Sequence, residues 1–354
     1  MSDILLKWLI SMIDTVKIYT AIDNETYEKL KLKCNIKTSY NIEKRLSFYE
    51  IITDKLEGSF DSNISVTVAD GHKYGFHYNN AIVIEGSYHK FIKGQNAFDG
   101  FYNLQSIVLH LIKITEEKFD VKLPKLKHWF LNRADISKCY DLKTQDKVCG
   151  YINNFRLLNY PRRNLKFYEN ECVYITGFTS TLKIYNKLLE FKNHDRQKAK
   201  NFFDIYDFEN KIYGFVRFEC EVKKRKLKKI YNKEKFIRVD SVLYSELENV
   251  WVDEFMKILK FDFSGLSTVR KKDEVMRRLF TIYKNRKATV LYSFYLNLLL
   301  DGYKKVKSCT AESTFYRNIK GLKSCGIDFS QSANLVYEYD ENVEFNPFES
   351  VEVV

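Results

Sequence analysis

Residues 215–222 alternate without a break: Val216, Phe218, Cys220 and Val222 fall on one side, and Arg217, Glu219 and Glu221 on the other. Successive side chains of a strand point to opposite faces. A chain holding such a run needs a sheet with one packed face and one polar face, which is the antiparallel arrangement. Shorter runs make the same demand. Residues 13–19, 64–68, 81–85, 133–137, 172–176 and 182–187 read as strands, with a turn at Gly177 between the last two. Within 133–137, Arg133 and Asp135 share one face while Ala134 and Ile136 share the other.

Helical periodicity enters at about 105–119, where Ile107, Leu109, Leu111 and Ile112 supply an apolar side, and again at about 145–157. Beyond about residue 245 the pattern is helical. The expected fold is α+β: an extension over 1–11, an antiparallel-sheet domain over 12–245, a helical region over 246–335 and an acidic tail over 336–354. An internal duplication is also readable. Each half runs hairpin, lysine-bearing strand, helix and then an Arg-x-acid strand, Arg133 to Asp135 in one and Arg217 to Glu219 in the other.

The formal charge is +12, and no Lys or Arg follows Lys323. The body of the chain is therefore more basic than the total, as a polyanion binder requires. An AT-rich genome, which enriches Lys, Asn, Ile, Tyr and Phe, gives the same composition without that role. The seven cysteines form no C-x-x-C pair and the six histidines no H-E-x-x-H, so neither a disulfide frame nor a zinc site is expected. No apolar run is long enough to span a membrane, and 4–10 lacks the flanks of a signal peptide. The reading is a cytoplasmic protein without a membrane partner.

Three features carry chemistry. Tyr185 is expected to share a strand face with Lys183 and Lys187, with Glu190 just beyond. Asp135 and Glu219 each sit on a strand face that also bears an arginine. A carboxylate pair can hold Mg²⁺ or Mn²⁺, and such an ion polarises a phosphodiester oxygen. Tyrosine then suits nucleophilic attack, because the aryl phosphate it forms can be reversed without ATP. With 25 tyrosines in the chain, spacing alone does not single out Tyr185.

Five segments together resemble the gene II replication proteins of filamentous phages and their plasmid relatives. They are MIDTV at 12–16; SYHKFIKGQNAF at 87–98, close to S-x-x-K-x-x-x-G-x-N-x-F; the R-x-D of Arg133 to Asp135; TLKIYNKLLE at 181–190, matching T-L-x-x-Y-x-K-x-x-E; and VRFE at 216–219 with the basic run after it. The segment 177–190 is also similar to the trans-acting initiators of rolling-circle plasmids. The resemblance implies a DNA-nicking initiator whose covalently linked tyrosine is Tyr185, aided by Lys187. It implies metal ligands at Asp135, Glu190 and Glu219, and phosphate contacts at Lys90, Asn96, Lys183 and Arg217. The substrate would be an origin, and the host helicase and DNA polymerase would be partners in the bacterial cytoplasm. A mobilisation relaxase and a non-catalytic origin-binding repressor or scaffold are the alternatives.

Two further elements are candidates for holding DNA. The run 223–229 begins Lys223, Lys224, Arg225 and follows the VRFE strand directly. In the C-terminal region, 288–300 reads as a helix, Gly302 as a turn, and Thr310 as the N-cap of a helix ending near Ser324 and closed by Gly326. There Phe315, Ile319 and Leu322 form an apolar stripe, while Ser313, Arg317, Lys320 and Ser324 share another face, as a major-groove helix requires.

Overall fold

The alternation at 215–222 becomes a strand at the middle of a wide sheet, and the pairing of that strand organises the molecule. The computed structural model describes residues 10–41, 47–58, 62–77, 80–153, 155, 163–199, 204–232, 235–259 and 272–327. Its strands are β1 (Ile10–Ile22), β2 (Asn35–Asn41), β3 (Ser47–Glu57), β4 (Asn63–Ala69), β5 (Asn80–Ser87), β6 (Phe130–Asp141), β7 (Asn164–Tyr168), β8 (Cys172–Thr176), β9 (Ser180–Asn186) and β10 (Phe215–Lys223). They form one sheet in the order β2-β3-β4-β5-β1-β6-β10-β9-β8-β7, antiparallel throughout. The expected α+β class and antiparallel sheet are what the chain adopts.

The strand order contains a repeat. β1 leads into the meander β2 to β5, and β5 returns to pair with β1; β6 leads into the meander β7 to β10, and β10 returns to pair with β6. The two leading strands join the halves at the centre. The duplication read from the sequence therefore exists in the topology, with different units. Arg133 on β6 and Arg217 on β10 lie in the same half, on adjacent strands, so the two Arg-x-acid segments do not correspond.

One face of the sheet buries the main core. The helices Leu104–Phe119, Gln145–Asn153 and Tyr244–Leu259 cover it with Ile107, Val108, Leu111, Val148, Ile152, Trp251 and Phe255. Phe218 of β10 meets Phe255 edge-on at 5.3 Å and Trp251 at 6.3 Å. Helix Tyr244–Leu259 thus completes the sheet domain, although the boundary expected at 245/246 would detach it. Its 3.6-residue period reports a helix and does not say which core that helix enters.

Glu254 ties this helix to the sheet. It is 5% exposed and accepts from Ser180 Oγ at 2.7 Å, Lys226 Nζ at 2.8 Å and Arg163 Nη2. Burial alone would raise its carboxyl, but hydrogen bonds from Lys226 and Ser180 and the charges of Lys226 and Arg163 bring it down to about 2. A depressed carboxyl contributes stability above its unfolded value and loses it as pH falls through the folded one. Between pH 4.5 and 2 the wild type should therefore lose about 3 kcal/mol from this group, a loss that Glu254→Gln does not share. Urea midpoints of both proteins at about pH 6 and about pH 3 check this; equal pH dependence would reject it.

A second core belongs to the helices Lys272–Ile282, Asn285–Cys309 and Glu312–Ser324, with Val275, Leu279, Leu291, Leu298, Phe315, Ile319 and Leu322 inside. Gly302, with φ of 78°, breaks the middle helix at the expected turn, and Gly326 takes φ of 64° after the last. The last helix begins at Glu312 with Ala311 as its cap and no capping side chain, so Thr310 ends the preceding helix instead of starting this one. At the other terminus, Ile10 and Ser11 already belong to β1, not to an extension. The acidic tail over 336–354 lies outside the described residues.

Candidate active site

The register of β10 brings the polar residues together. Arg217 lies opposite Cys139 of β6 and Tyr185 of β9; Glu219 lies opposite Ser137 and Lys183; Glu221 lies opposite Asp135 and Thr181. Lys183, Tyr185, Arg217, Glu219 and Asp135 thus share the face turned away from the main core. At the Tyr185 end a smaller apolar cluster roofs this face, built from Ala97, Leu188, Phe191, Phe208, Ile212 and Phe215. Under that roof Tyr185 is 8% exposed and Arg217 fully buried.

The tyrosine hydroxyl donates to Glu219 Oε2 at 3.1 Å, and Lys183 Nζ donates to Glu219 Oε1 at 2.6 Å. Burial raises the Tyr185 phenol well above 10; the Arg217 charge opposes this, and Glu219, Glu190 and Asp14 add to it. At neutral pH the group is a protonated phenol whose hydroxyl is already hydrogen-bonded to a carboxylate. A nucleophile in this state needs that carboxylate as a base.

Behind the tyrosine is a buried polar network. Arg217 Nη2 stands 3.3 Å from Asp14 Oδ2, its Nε stands 3.9 Å from Glu219 Oε2, and its Nη1 donates to the Asn96 carbonyl. Asp14 Oδ1 accepts from Ser87 Oγ at 2.9 Å and Asn96 Nδ2 at 3.1 Å. Burial would raise the Asp14 carboxyl, but Arg217 and these two hydrogen bonds hold it below its usual range. Asn96 and Arg217, expected to touch phosphate, are instead buried and committed to protein partners. The reason is the roof, which a strand pattern does not reveal.

Lys187 also departs from expectation. β9 stops at Asn186, whose Oδ1 caps the helix Lys187–Glu190 by accepting from the Leu188 and Leu189 amides. Lys187 therefore leaves the strand face of Tyr185, yet its Nζ returns to the network, 2.6 Å from Asn96 Oδ1 and 2.5 Å from Glu190 Oε2. Burial depresses its ammonium below the usual lysine range, against the pull of Glu190. Lys90 Nζ reaches Glu190 Oε1 at 3.0 Å and Asp195 Oδ2 at 2.6 Å. Burial would raise Glu190; Lys187 and Lys90 together hold it far below the carboxylate range.

The expected metal ligands Asp135, Glu190 and Glu219 do not converge. Glu190 is clasped by two lysines, Glu219 by Lys183 and Tyr185, and Asp135 takes Arg133 Nε at 2.7 Å and Nη2 at 2.5 Å. Among the described residues, no group of three or more His, Cys, Asp or Glu side chains is arranged to hold an ion. As placed, these carboxylates do not fit a divalent site, because each is already neutralised by a cation. Asp135 keeps a different mark: burial, opposed by the Arg133 hydrogen bonds and reinforced by Glu219, raises it to about 7.

Further out, Lys223 Nζ bonds the Gly177 carbonyl at 2.9 Å, Arg225 lies over the Phe178 ring at 3.2 Å, and Lys224 stands 5.0 Å from the Tyr19 ring. Arg317 and Lys320 are exposed on the last helix with Ser313 and Ser324, while Phe315, Ile319 and Leu322 are buried. The sequence reading missed four site residues. Asp14 and Ser87 lie inside the segments MIDTV and S-x-x-K, so the signal was present. Asp195 is the last residue of a turn of π-helix over Phe191–Asp195, which no local pattern marks. His89 is fully buried, its Nδ1 3.0 Å from Met12 Sδ, and burial lowers it to about 4, so it is neutral at pH 7.

Among known proteins, the curated replication-associated protein of Salmonella phage IKe is 27% identical over 197 residues, covering 53% of this chain and 42% of that protein. The chain thus spans less than half the length of this relative. A rolling circle replication initiator protein from Geobacillus stearothermophilus overlaps 71% of this chain and 85% of its own, at 10% identity and a TM-score of 0.31, a likeness too weak to bear on the fold. The family model for the N-terminal region of phage replication-associated proteins of the gene II type matches residues 12–246. That match runs from Met12, near the start of β1, into the first turn of helix Tyr244–Leu259 and takes in the whole buried network, and the chain belongs to this family.

Proposed function

We propose that the protein nicks one strand of a replication origin, becomes joined to the 5′ end through Tyr185, and later reverses the linkage to reseal the product. The observation that carries this reading is the Tyr185 hydroxyl donating to Glu219 at 3.1 Å within a site of buried cations. In the proposed step the Tyr185 oxygen bonds to phosphorus and the bond from phosphorus to the 3′ oxygen breaks. The phenol proton passes to Glu219, and the departing 3′ oxygen takes a proton from Lys187, whose depressed pKa suits a proton donor. Arg217, 3.9 Å away through its Nε, helps hold Glu219 in place. Membership of a replication-associated family supports the origin as substrate. The sequence resemblance alone supports a requirement for Mg²⁺ or Mn²⁺ and the host helicase and polymerase as partners.

The same proposal assigns the sheet with helix Tyr244–Leu259 to nicking and the helices from Lys272 to Ser324 to a second DNA contact, through Arg317 and Lys320. No helix among the described residues is long and apolar enough to cross a membrane. The test is purified protein on supercoiled DNA carrying the element's own origin, with Mg²⁺, Mn²⁺ or EDTA. Open circles with an extendable 3′ hydroxyl and protein retained on the 5′ end after denaturation are expected. Cut ends free of protein would mean water is the nucleophile. Tight binding without cutting under any ion would leave a repressor or scaffold.

A further inference from the structure

At the end of the polar face opposite Tyr185 lies a cluster of a different kind. Tyr19 of β1 pairs with Phe130 of β6 there, and Tyr74, Phe76 and Phe236 pack around them. The Tyr19 ring is 4.7 Å from Tyr74 and 5.7 Å from Phe130, while Phe76 stacks on Phe236 at 5.3 Å. Three lysines edge this aromatic floor. Lys224 Nζ stands 5.0 Å from the Tyr19 ring and Lys235 Nζ stands 5.2 Å from the Phe236 ring. Lys228 lies one helical turn beyond Lys224, on the same side of helix Lys224–Ile230.

The basic run over 223–229 is therefore not uniform. Lys223 has Glu221 at 3.8 Å and Lys226 has Glu254 at 2.8 Å. No carboxylate among the described residues pairs with Lys224, Lys228 or Lys235; Lys235 donates only to the Gly75 carbonyl, at 3.2 Å. Burial depresses the Lys224 ammonium, and repulsion from Lys228 and Lys235 adds to the fall. Three cations held together without a counter-charge favour an incoming anion, and an ordered floor spares that anion the entropy of gathering them.

We propose that Lys224, Lys228 and Lys235 hold backbone phosphates of the same DNA strand that is cut at Tyr185. This rests on the nicking reading for the identity of the anion and goes beyond it in placing a second contact at a fixed distance. Phe130 and Cys139 mark the two ends of the face on β6, nine residues apart, which is roughly 30 Å of strand. A stacked DNA strand advances about 3.4 Å per nucleotide, so the cluster engages phosphates roughly nine nucleotides from the nick. Between the ends, Lys17 and Arg133 are each paired with Glu85, so the path is charge-balanced, and the strand is held by the linkage at Tyr185 at one end and by the three lysines at the other.

The experiment uses the full chain and fluorescent single-stranded oligonucleotides spanning the nick site, lengthened stepwise on one side and then the other. Affinity is measured across salt for wild type and the triple variant Lys224→Gln/Lys228→Gln/Lys235→Gln, with covalent attachment to the shortest oligonucleotide recorded in parallel. Wild-type affinity should step up when one flank reaches about nine nucleotides, and the variant should lack the step. Its salt slope should fall by about 2, from three contacts at about 0.7 each on single strands. Glutamine preserves side-chain size and removes the repulsion, so attachment to the shortest oligonucleotide should be unchanged. An identical step and slope in the variant would overturn the proposal, as would a slope change already complete on oligonucleotides too short to reach the cluster. If no adduct forms but the step appears and the variant loses it, the nicking chemistry falls and this contact stands.

Discussion

Tyr185→Phe should abolish the covalent protein–DNA adduct and lower nicking by at least about a thousandfold, as removal of a nucleophile does elsewhere. The protein should remain folded. The substitution deletes one hydroxyl that, among the described residues, hydrogen-bonds to Glu219, a loss of about 1 kcal/mol, and leaves the ring in its packing. Origin affinity should not move, because the proposed mechanism gives the hydroxyl a reacting role and no part in holding phosphate. Glu219→Gln supplies the complementary case. It keeps a hydrogen-bond acceptor for the phenol but no longer takes its proton, so a loss of roughly 10² to 10⁴ in rate is expected with the adduct still formed slowly. The phenol lies well above 10, so alkaline pH up to about 9 should rescue the Gln variant only weakly. Denaturing gels of end-labelled origin DNA read all of these. Nicking at wild-type rate by Tyr185→Phe would remove the tyrosine from the chemistry.

Arg217→Met should be the most destabilising single change at the site. Arg217 is fully buried among Asp14, Glu219 and the Asn96 carbonyl. Methionine fills most of the volume but leaves the Asp14 carboxylate buried with only Ser87 and Asn96 as neutral donors. Breaking a buried pair from one side costs about 3–5 kcal/mol, a large part of the roughly 5–15 kcal/mol that holds a domain together. The double variant Asp14→Asn/Arg217→Met removes both charges and should recover more than half of the loss. Urea denaturation of the four proteins gives the coupling directly. A single variant within about 1 kcal/mol of wild type would mean that the pair is solvated. The expected instability also explains why Arg217 is a poor choice for probing DNA contact, since its loss would read as lost binding.

Much of the sheet was legible because its cause is local. Alternation at 64–68, 172–176 and 215–222 follows from side chains pointing to opposite faces, and β4, β8 and β10 fall where it predicts. Elements whose stabilisation is not local were missed. Helix Asn24–Lys33 buries only Thr26 and Leu30, and edge strand β2 is largely polar, so neither carries a strong period. Alternation alone puts Lys187 on the strand face of Tyr185, because it does not mark where a strand ends; the Asn186 cap ends it.

The resemblance to the gene II replication proteins carried the reading of Tyr185 as a candidate, through the T-L-x-x-Y-x-K-x-x-E and V-R-F-E patterns at 181–190 and 216–219. Pairing order was beyond these patterns. An alternating strand reports which of its faces is polar and not which strand lies beside it, and β10 becomes the neighbour of both β6 and β9 only when the two meanders close on their leading strands. That closure, with the roof of Phe191, Phe208 and Phe215, separates Arg217 and Asn96, which are sealed inside, from Lys224, Lys228 and Lys235, which have no carboxylate partner among the described residues. Equal charges along the chain acquire different roles because burial and partner choice are properties of the packed molecule.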